Sequence, residues 1–289
     1  MNNKCSYVGG GMFIEKDSKA TLKLSSFSNN IAHIAGGALA VTSRCVIKIV
    51  SVSFAANKVP SANTNYNDTS QQSISDLLSI KSRIQAIIGQ EMSENLVGGG
   101  GAMFLLSGAK AYIDDSKLSY NMVDGVGAAI LAMDSTKTEI HTSTFQENTA
   151  ELYAGVILSD SSSKLHFYNC KFDENLAGQT GNIIATQMDG DTLFYLSRFV
   201  QLDSNVMFST NTSGISTHNV PLQFQKSAIF RKHCQNIFDT DQSDMEPDVT
   251  SDTLSCYTSI PENYTENHAC KIFCWFLFSM SLYNFYPFL

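Results

Sequence analysis

The sequence predicts an all-β protein, a right-handed parallel β-helix of about six coils with one helical insertion and an irregular C-terminal tail. The first observation behind this prediction is a Phe-x-x-Asn motif, as in Phe172-Asp173-Glu174-Asn175, which recurs along the chain. The second is a glycine that opens a short apolar run 16 to 18 residues before each motif. A fixed period of this size indicates a solenoid, in which each coil buries its apolar face against its neighbours.

The first position of the motif sets the period. Its occurrences lie 27 residues apart except for one interval of 64, which is one period plus an insertion of 37. We expect these residues to stack as one buried column, and they are Phe27, Phe54, Leu118, Phe145, Phe172 and Phe199. The asparagines that follow are Asn30, Asn57, Asn121, Asn148 and Asn175, with Leu202 in the sixth copy. The glycines are Gly11, Gly37, Gly101, Gly127, Gly155 and Gly181.

The bends between strands are expected at the asparagines and glycines, because both residue types tolerate positive φ. Each asparagine amide is also expected to bond to the asparagine one coil away. Between the bends, apolar and polar residues alternate, which predicts short strands with one buried face. The residue two before each aromatic is mostly Ser and predicts an inward ladder of small side chains. The residue five before it is apolar in every copy: Leu22, Ile49, Ile113, Ile140, Phe167 and Phe194.

These motifs carry a family resemblance. The run Gly36-Gly37-Ala38-Leu39, paired with Phe-x-x-Asn, resembles the repeats of chlamydial polymorphic outer membrane proteins and of similar protist surface proteins. The resemblance covers about two-thirds of the chain and implies a pectin-lyase-like β-helix displayed at a cell surface, often in adhesion. The chain departs from the pattern at Leu202 and where a glycine pair is reduced to one glycine.

The repeats are assigned to residues 8–205, with the insertion at about 60–96. Within the insertion, apolar residues at helical spacing predict an amphipathic helix over about 73–88, with Ser73 as its N-cap. One interpretation is a helix that covers one side of the stack, and the other is a loop that grips a ligand.

The tail divides into three parts. Residues 206–238 are expected to form an irregular last coil or a cap, and residues 239–268, which are polar, a linker. The apolar, uncharged segment 272–289 is at the lower length limit of a spanning helix. It is interpreted either as a membrane anchor or as a damaged or capping terminus.

Charge and cysteine usage exclude several classes of function. A net charge of −8 and the absence of a visible Lys/Arg cluster argue against a nucleic-acid partner. The seven cysteines include no CxxC pair and so give no zinc signature, although those of the tail are candidates for disulfides. No metal or organic cofactor is expected. The polar start predicts no signal peptide, so we expect a fragment with further coils upstream.

Three sequons lie outside the expected strands, at Asn67, Asn211 and Asn263. Their place in loops fits exposure to a secretory lumen, which favours a location at the cell surface or the extracellular face of a membrane.

Two carboxylates are candidates for a ligand site. Glu147 and Glu174 hold the same position in neighbouring repeats and would stack about 4.8 Å apart. Such a pair either holds Ca²⁺ or shares a proton, or is simply solvated. No basic residue is expected in register to bind an acidic sugar, which favours the solvated interpretation.

A second candidate site is a column on the outer face of a strand, with Asp114, His141, Tyr168 and Tyr195 at one position of successive repeats. Such a strip grips sugar rings or a partner protein, or it is ordinary stacking on a solvated sheet. His141 beside Asp114 resembles half of a catalytic dyad, but no nucleophile falls in register. We therefore assign no catalytic residue.

Three functions follow as hypotheses. The leading one is a non-enzymatic surface module for adhesion or display, with a surface protein or glycan of a host or neighbouring cell as its partner. The second, a polysaccharide lyase or glycoside hydrolase, rests on analogy with other β-helices. The third is a structural spacer without a ligand.

Overall fold

The fold is a parallel β-solenoid, as the sequence predicts. The computed structural model describes residues 2–5, 7–60, 82, 98–159, 163–179, 181–186, 191–201, 207–209, 222–225, 227–231, 238–239 and 254–257. Within them the strands form four sheets, and every pairing between strands is parallel.

Each complete coil contributes one strand to each sheet in turn. The first sheet contains Met12–Ile14, Leu39–Val41, Met103–Leu106, Ile130–Met133, Ile157–Ser159, Ile184–Thr186, Phe208–Ser209 and Phe238–Asp239. The second contains Lys19–Lys23, Val46–Val50, Lys110–Asp114, Lys137–His141, Lys164–Tyr168, Asp191–Tyr195 and Leu222–Gln225. The third contains Ser26–Ser28, Ser53–Ala55, Lys117–Ser119, Thr144–Gln146, Lys171–Asp173, Arg198–Gln201, Ser227–Arg231 and Leu254–Tyr257. The fourth contains Lys4–Cys5, Ile31–Ala32, Lys58–Val59, Met122–Val123, Thr149–Ala150 and Leu176–Ala177.

The 27-residue period is the coil length. Phe145 is the register partner of Phe172, one period later in the chain. Phe54 pairs in the same way with Leu118, so the insertion between them leaves the register unchanged. Of the helix predicted over 73–88 only Ser82 is described, and its backbone is helical; the rest lies outside the described residues.

The aromatic column is buried and stacked. The Phe145 and Phe172 ring centroids lie 5.1 Å apart with planes inclined by 5°, and Phe172 and Phe199 lie 4.9 Å apart at 17°. A second inward column stands beside it on the second sheet, where Phe167 and Phe194 stack at 4.8 Å. Rings of one column meet those of the other edge to face, an arrangement that aromatic pairs prefer. Both predicted columns are therefore confirmed.

The asparagines form a buried ladder. The Asn148 side-chain amide Nδ2 donates to Asn175 Oδ1 at 2.8 Å and to the Leu118 carbonyl oxygen at 2.9 Å. Asn148 Oδ1 accepts from the backbone N–H and the side-chain amide of Asn121. Every polar group of the Asn148 side chain is thus satisfied inside the stack, as buried polar groups require.

The predicted backbone role of these asparagines is wrong. Positive φ belongs to the residue immediately before each one, including Tyr120, Glu147 and Glu174, with φ of 56°, 50° and 49°. The bend turns this residue outward and its asparagine inward, where the amide reaches the next coil. The asparagine is therefore selected by its hydrogen bonds and not by its tolerance of positive φ.

The predicted ladder of small residues lies between the second and third sheets. The Ser143 hydroxyl donates to the His141 carbonyl at 2.7 Å and accepts from the Ser116 N–H at 3.1 Å. Cys170 takes the same place one coil later, with its thiol 3.5 Å from the Tyr168 carbonyl. Burial raises the pKa of that thiol to about 12, so it stays protonated at neutral pH.

The repeat glycines fall into separate columns, which corrects the single set predicted from sequence. Gly127 and Gly181 belong to a column at positive φ, occupied in the other coils by Gly9, Gly36, Gly100 and Ala154. The predicted members Gly37, Gly101 and Gly155 lie one residue later, where a Cβ would overlap a carbonyl oxygen of the next coil. Gly11 lies one residue later again. The sequence pattern did not separate these columns, because a Gly-Gly pair occupies both of the adjacent positions.

Beyond the first coil, where Phe13 is exposed, the first sheet is buried on both faces. Its inward residues join the main core, and its outward residues, including Phe104, Leu131 and Leu158, are also fully buried. Bends that precede the first sheet pack on this outer side through Val126 and Tyr153. The second sheet is therefore a better candidate than the first for a solvent-facing binding surface.

Strands continue beyond residue 205. In the range 206–238, predicted to be an irregular coil or cap, Ser227–Arg231 pairs in parallel with Arg198–Gln201. The range 239–268, predicted to be a linker, contains the strand Leu254–Tyr257. The backbone N–H and C=O groups of this segment pair with the edge strand of the third sheet whatever its side chains are. A polar composition therefore did not exclude a strand here. Cys256 in this strand is disulfide-bonded.

Candidate functional site

The outer face of the second sheet presents three columns of side chains to solvent. The strands alternate strictly, as in Lys110–Asp114, whose first, third and fifth residues are exposed and whose second and fourth are buried. Because neighbouring strands are in parallel register, each outward position becomes a column with a step of about 4.8 Å. We call these the front, middle and rear columns for the first, third and fifth strand positions.

The rear column brings together the residues predicted as a ligand strip. Asp114, His141, Tyr168 and Tyr195 are consecutive register partners. The His141 ring stacks on the Tyr168 ring, with centroids 4.6 Å apart and planes inclined by 14°. Tyr168 and Tyr195 lie 6.3 Å apart at 53°. Asp114 and His141 are exposed, and both tyrosines are partly buried.

The contacts of His141 are those of a stacked ring. Its described side-chain contact is the ring stack with Tyr168, and no hydrogen bond joins it to Asp114 among the described contacts. A catalytic dyad needs the base oriented by a hydrogen bond to the second group. Asp114 and His141, the half-dyad suggested by sequence, are register partners on adjacent strands without that hydrogen bond among the described contacts.

The front column is mostly basic, which the predictions from sequence did not include. Its members on the first, third, fourth and fifth coils are Lys19, Lys110, Lys137 and Lys164, while the second coil has Val46 and the sixth has Asp191 at this position. The expectation that no basic residue falls in register is therefore wrong. A lysine eight residues before the motif aromatic in four repeats was the available signal.

The middle column separates the lysines from the rear column and contains Tyr112, Glu139 and His166. Glu139 lies 2.8 Å from the Lys137 ammonium group. This hydrogen bond, reinforced by the charge of the carboxylate, raises the pKa of Lys137. His166 meets the Tyr168 ring edge to face at 6.3 Å. The middle column therefore links the charged and aromatic sides.

Glu147 and Glu174 lie at the bend between the third and fourth sheets, away from these columns. Glu147 accepts a hydrogen bond from the Gln146 amide at 3.0 Å. It also accepts one from the Tyr120 hydroxyl, which raises the pKa of Tyr120. Across the described part of the chain, no group of three or more His, Cys, Asp or Glu side chains is placed to hold a metal ion.

Other sequence predictions lie outside the described residues. These are the sequons at Asn67, Asn211 and Asn263 and the apolar segment 272–289. Among the residues that the structure describes, no helix has the length and apolar character needed to span a membrane.

Comparisons of the chain with protein-family models, curated proteins and solved structures find no match.

Proposed function

We propose that this protein is a non-enzymatic module of the cell surface or of a membrane's extracellular side, which binds a surface protein or glycan of another cell. The binding surface is the outer face of the second sheet. The observation that carries this proposal is the rear column, in which His141, Tyr168 and Tyr195 stand in register at the surface. The resemblance to polymorphic outer membrane protein repeats points in the same direction.

The solenoid supports this role by fixing the positions of the binding groups. The strand Lys137–His141 pairs with a neighbour on each side, and its Ile140 is fully buried. Its outward side chains are therefore held before any ligand arrives, which lowers the entropic cost of binding. A rigid stack of identical steps suits a long, repetitive partner.

The disulfide at Cys256 supports an extracellular location, whereas Cys5, Cys45 and Cys170 are free thiols. Cys256 is disulfide-bonded at the last described strand of the third sheet. Disulfides persist in oxidising compartments and are rare in the cytosol. The sequons at Asn67, Asn211 and Asn263 favour the same assignment.

Binding of the labelled, purified full chain to cultured cells tests the proposal. We expect saturable binding that falls by about tenfold or more in the variant His141→Ala/Tyr168→Ala, because central aromatic contacts carry much of an interface's energy. The matched control is Met122→Ala/Leu176→Ala, which removes exposed side chains from the fourth sheet. No saturable binding, or equal binding by both variants, would leave the spacer as the better description.

A further inference from the structure

The lysines of the front column form a locally basic surface, although the whole chain is acidic. The protein has 27 acidic residues against 19 Lys and Arg. On the outer face of the second sheet, however, the described side chains include two carboxylates, Asp114 and Glu139, and the front column ends at Asp191, the register partner of Lys164. The lysines on that face are Lys19, Lys23, Lys48, Lys110, Lys137 and Lys164. The face is therefore locally positive on an acidic protein, and a positive surface potential attracts an anionic ligand to it.

The front column is electrostatically unfavourable in the free protein. Lys110, Lys137 and Lys164 are direct register partners on successive strands, and like charges in that arrangement repel. Lys137 is paired with Glu139 and Lys110 has no carboxylate partner among the described contacts, whereas Lys164 lies in register with Asp191 of the next coil. A chain of negative groups laid along the column would relieve this repulsion. From Lys19 to Lys164 the column runs about 19 Å, at about 4.8 Å a coil.

The neighbouring columns add hydrogen-bonding groups beside the charges. The front and rear columns lie four residues apart on each strand, or about 13 Å. Between and beyond the lysines stand the phenol of Tyr112 and the imidazoles of His141 and His166. Such groups can exchange hydrogen bonds with hydroxyls of a sugar chain.

The ring geometry disfavours single-stranded nucleic acid as the occupant. Proteins that bind single strands stack bases on free aromatic faces. Here one face of the His141 ring is covered by Tyr168, and His166 approaches Tyr168 edge-on. A linear anionic polysaccharide needs cations and hydroxyl partners instead of free ring faces.

We propose that the outer face of the second sheet binds a linear sulfated or carboxylated polysaccharide, which lies along the solenoid axis on Lys110, Lys137 and Lys164. This inference rests on the proposed function, since it names the ligand class of the same face. The polymer's anionic groups contact the lysines, and its hydroxyls contact the middle and rear columns.

The test is direct binding of the full chain to defined polymers by titration calorimetry. The probes are heparin, polygalacturonate, neutral dextran and a single-stranded oligothymidylate. The variant Lys110→Gln/Lys164→Gln removes the two lysines that flank Lys137 in the front column. The control Lys4→Gln/Lys117→Gln removes the same charge from exposed positions on the fourth and third sheets.

We expect heparin or polygalacturonate to bind, neutral dextran not to bind, and affinity to fall as salt is raised. Lysines at an anionic surface contribute about 1 kcal/mol each, so the face variant should bind about 25-fold more weakly. The control should bind as the unmodified protein does. Equal losses in both variants, no binding to either anionic polysaccharide, or tighter binding to the oligothymidylate would overturn the inference.

The outcome is separable from that of the proposed function. A protein that binds cells through His141 and Tyr168 but ignores both anionic polysaccharides keeps the proposed function and loses this ligand class. Circular dichroism of each variant checks that the solenoid is intact, so a loss of binding cannot be attributed to unfolding.

Discussion

The repeat asparagine shows how one side chain joins three coils. Asn148 donates to a carbonyl of the preceding coil and to the asparagine of the next, and it accepts from Asn121. All of these groups are buried, so any replacement must supply the same donors and acceptors or leave partners unsatisfied.

We predict that Asn148→Asp destabilises the protein by roughly 3–5 kcal/mol at neutral pH, because a buried carboxylate would face carbonyl oxygens that need a donor. The surroundings should raise the pKa of the new carboxyl, so the variant should gain stability relative to the unmodified protein as pH falls toward 5. Chemical denaturation at both pH values measures this. Asn29→Asp is the control, because Asn29 is exposed at the bend and its replacement should cost under about 0.5 kcal/mol.

Residue-level roles were only partly predictable from sequence. The spacing of Asn148 and Asn175 predicted their ladder, because equal positions in a solenoid must become neighbours. The site of positive φ was assigned one residue too late. Glu147 and Glu174 adopt positive φ although glutamate does not favour it, so the residue type at this position gave no signal.

At the scale of the element, the short strands depend on side-chain stacking. The Phe145 ring lies flat against that of Phe172 and edge-on to Phe167, with centroids 5.1 and 6.1 Å away. Strands of three residues gain little from their own hydrogen bonds, so the buried columns must hold them together.

Phe145→Ala should therefore cost roughly 3–5 kcal/mol in free energy of unfolding, because it opens a cavity in the middle of the column. Phe13→Ala is the comparison, since Phe13 is 47% exposed in the first coil and should cost far less. Equilibrium denaturation of both variants measures the difference. Equal, small losses would show that Phe145 is not a stack position.

The elements also show which sequence patterns were informative. The alternation of apolar and polar residues in Lys137–His141 correctly predicted one buried face and one solvent-facing face. The continuous apolar run of Ile130–Met133 is buried on both faces, as such runs indicate in parallel sheets. The sequence could not predict which residues cover the outer face of the first sheet, because those residues come close to it only in the folded chain.

At the scale of the whole molecule, the 27-residue period predicts most of the long-range contacts within the repeats. Once residues 27 apart are neighbours, the sheets, columns and ladders follow. The front column follows the same period. Its lysines lie eight residues before the motif aromatic, however, whereas the side-chain columns predicted from sequence lie at most five residues before it. Strand Leu254–Tyr257 carries no clear motif, so its pairing with the third sheet could not be predicted from the period.

The central claim is that side chains one period apart lie on adjacent coils, since the binding face exists only if they do. Disulfide trapping tests it most directly. Thr144 and Lys171 are register partners on the outer side of the third sheet, and a separation of about 4.8 Å suits a disulfide. Thr144 and Arg198 are two coils apart, or about 9.6 Å, which is too far.

We predict that Thr144→Cys/Lys171→Cys forms an intramolecular disulfide under mild oxidation, detected by mass spectrometry of the digested protein, and that Thr144→Cys/Arg198→Cys does not. Failure of the first pair, or equal bonding in both, would contradict the solenoid and the face built on it.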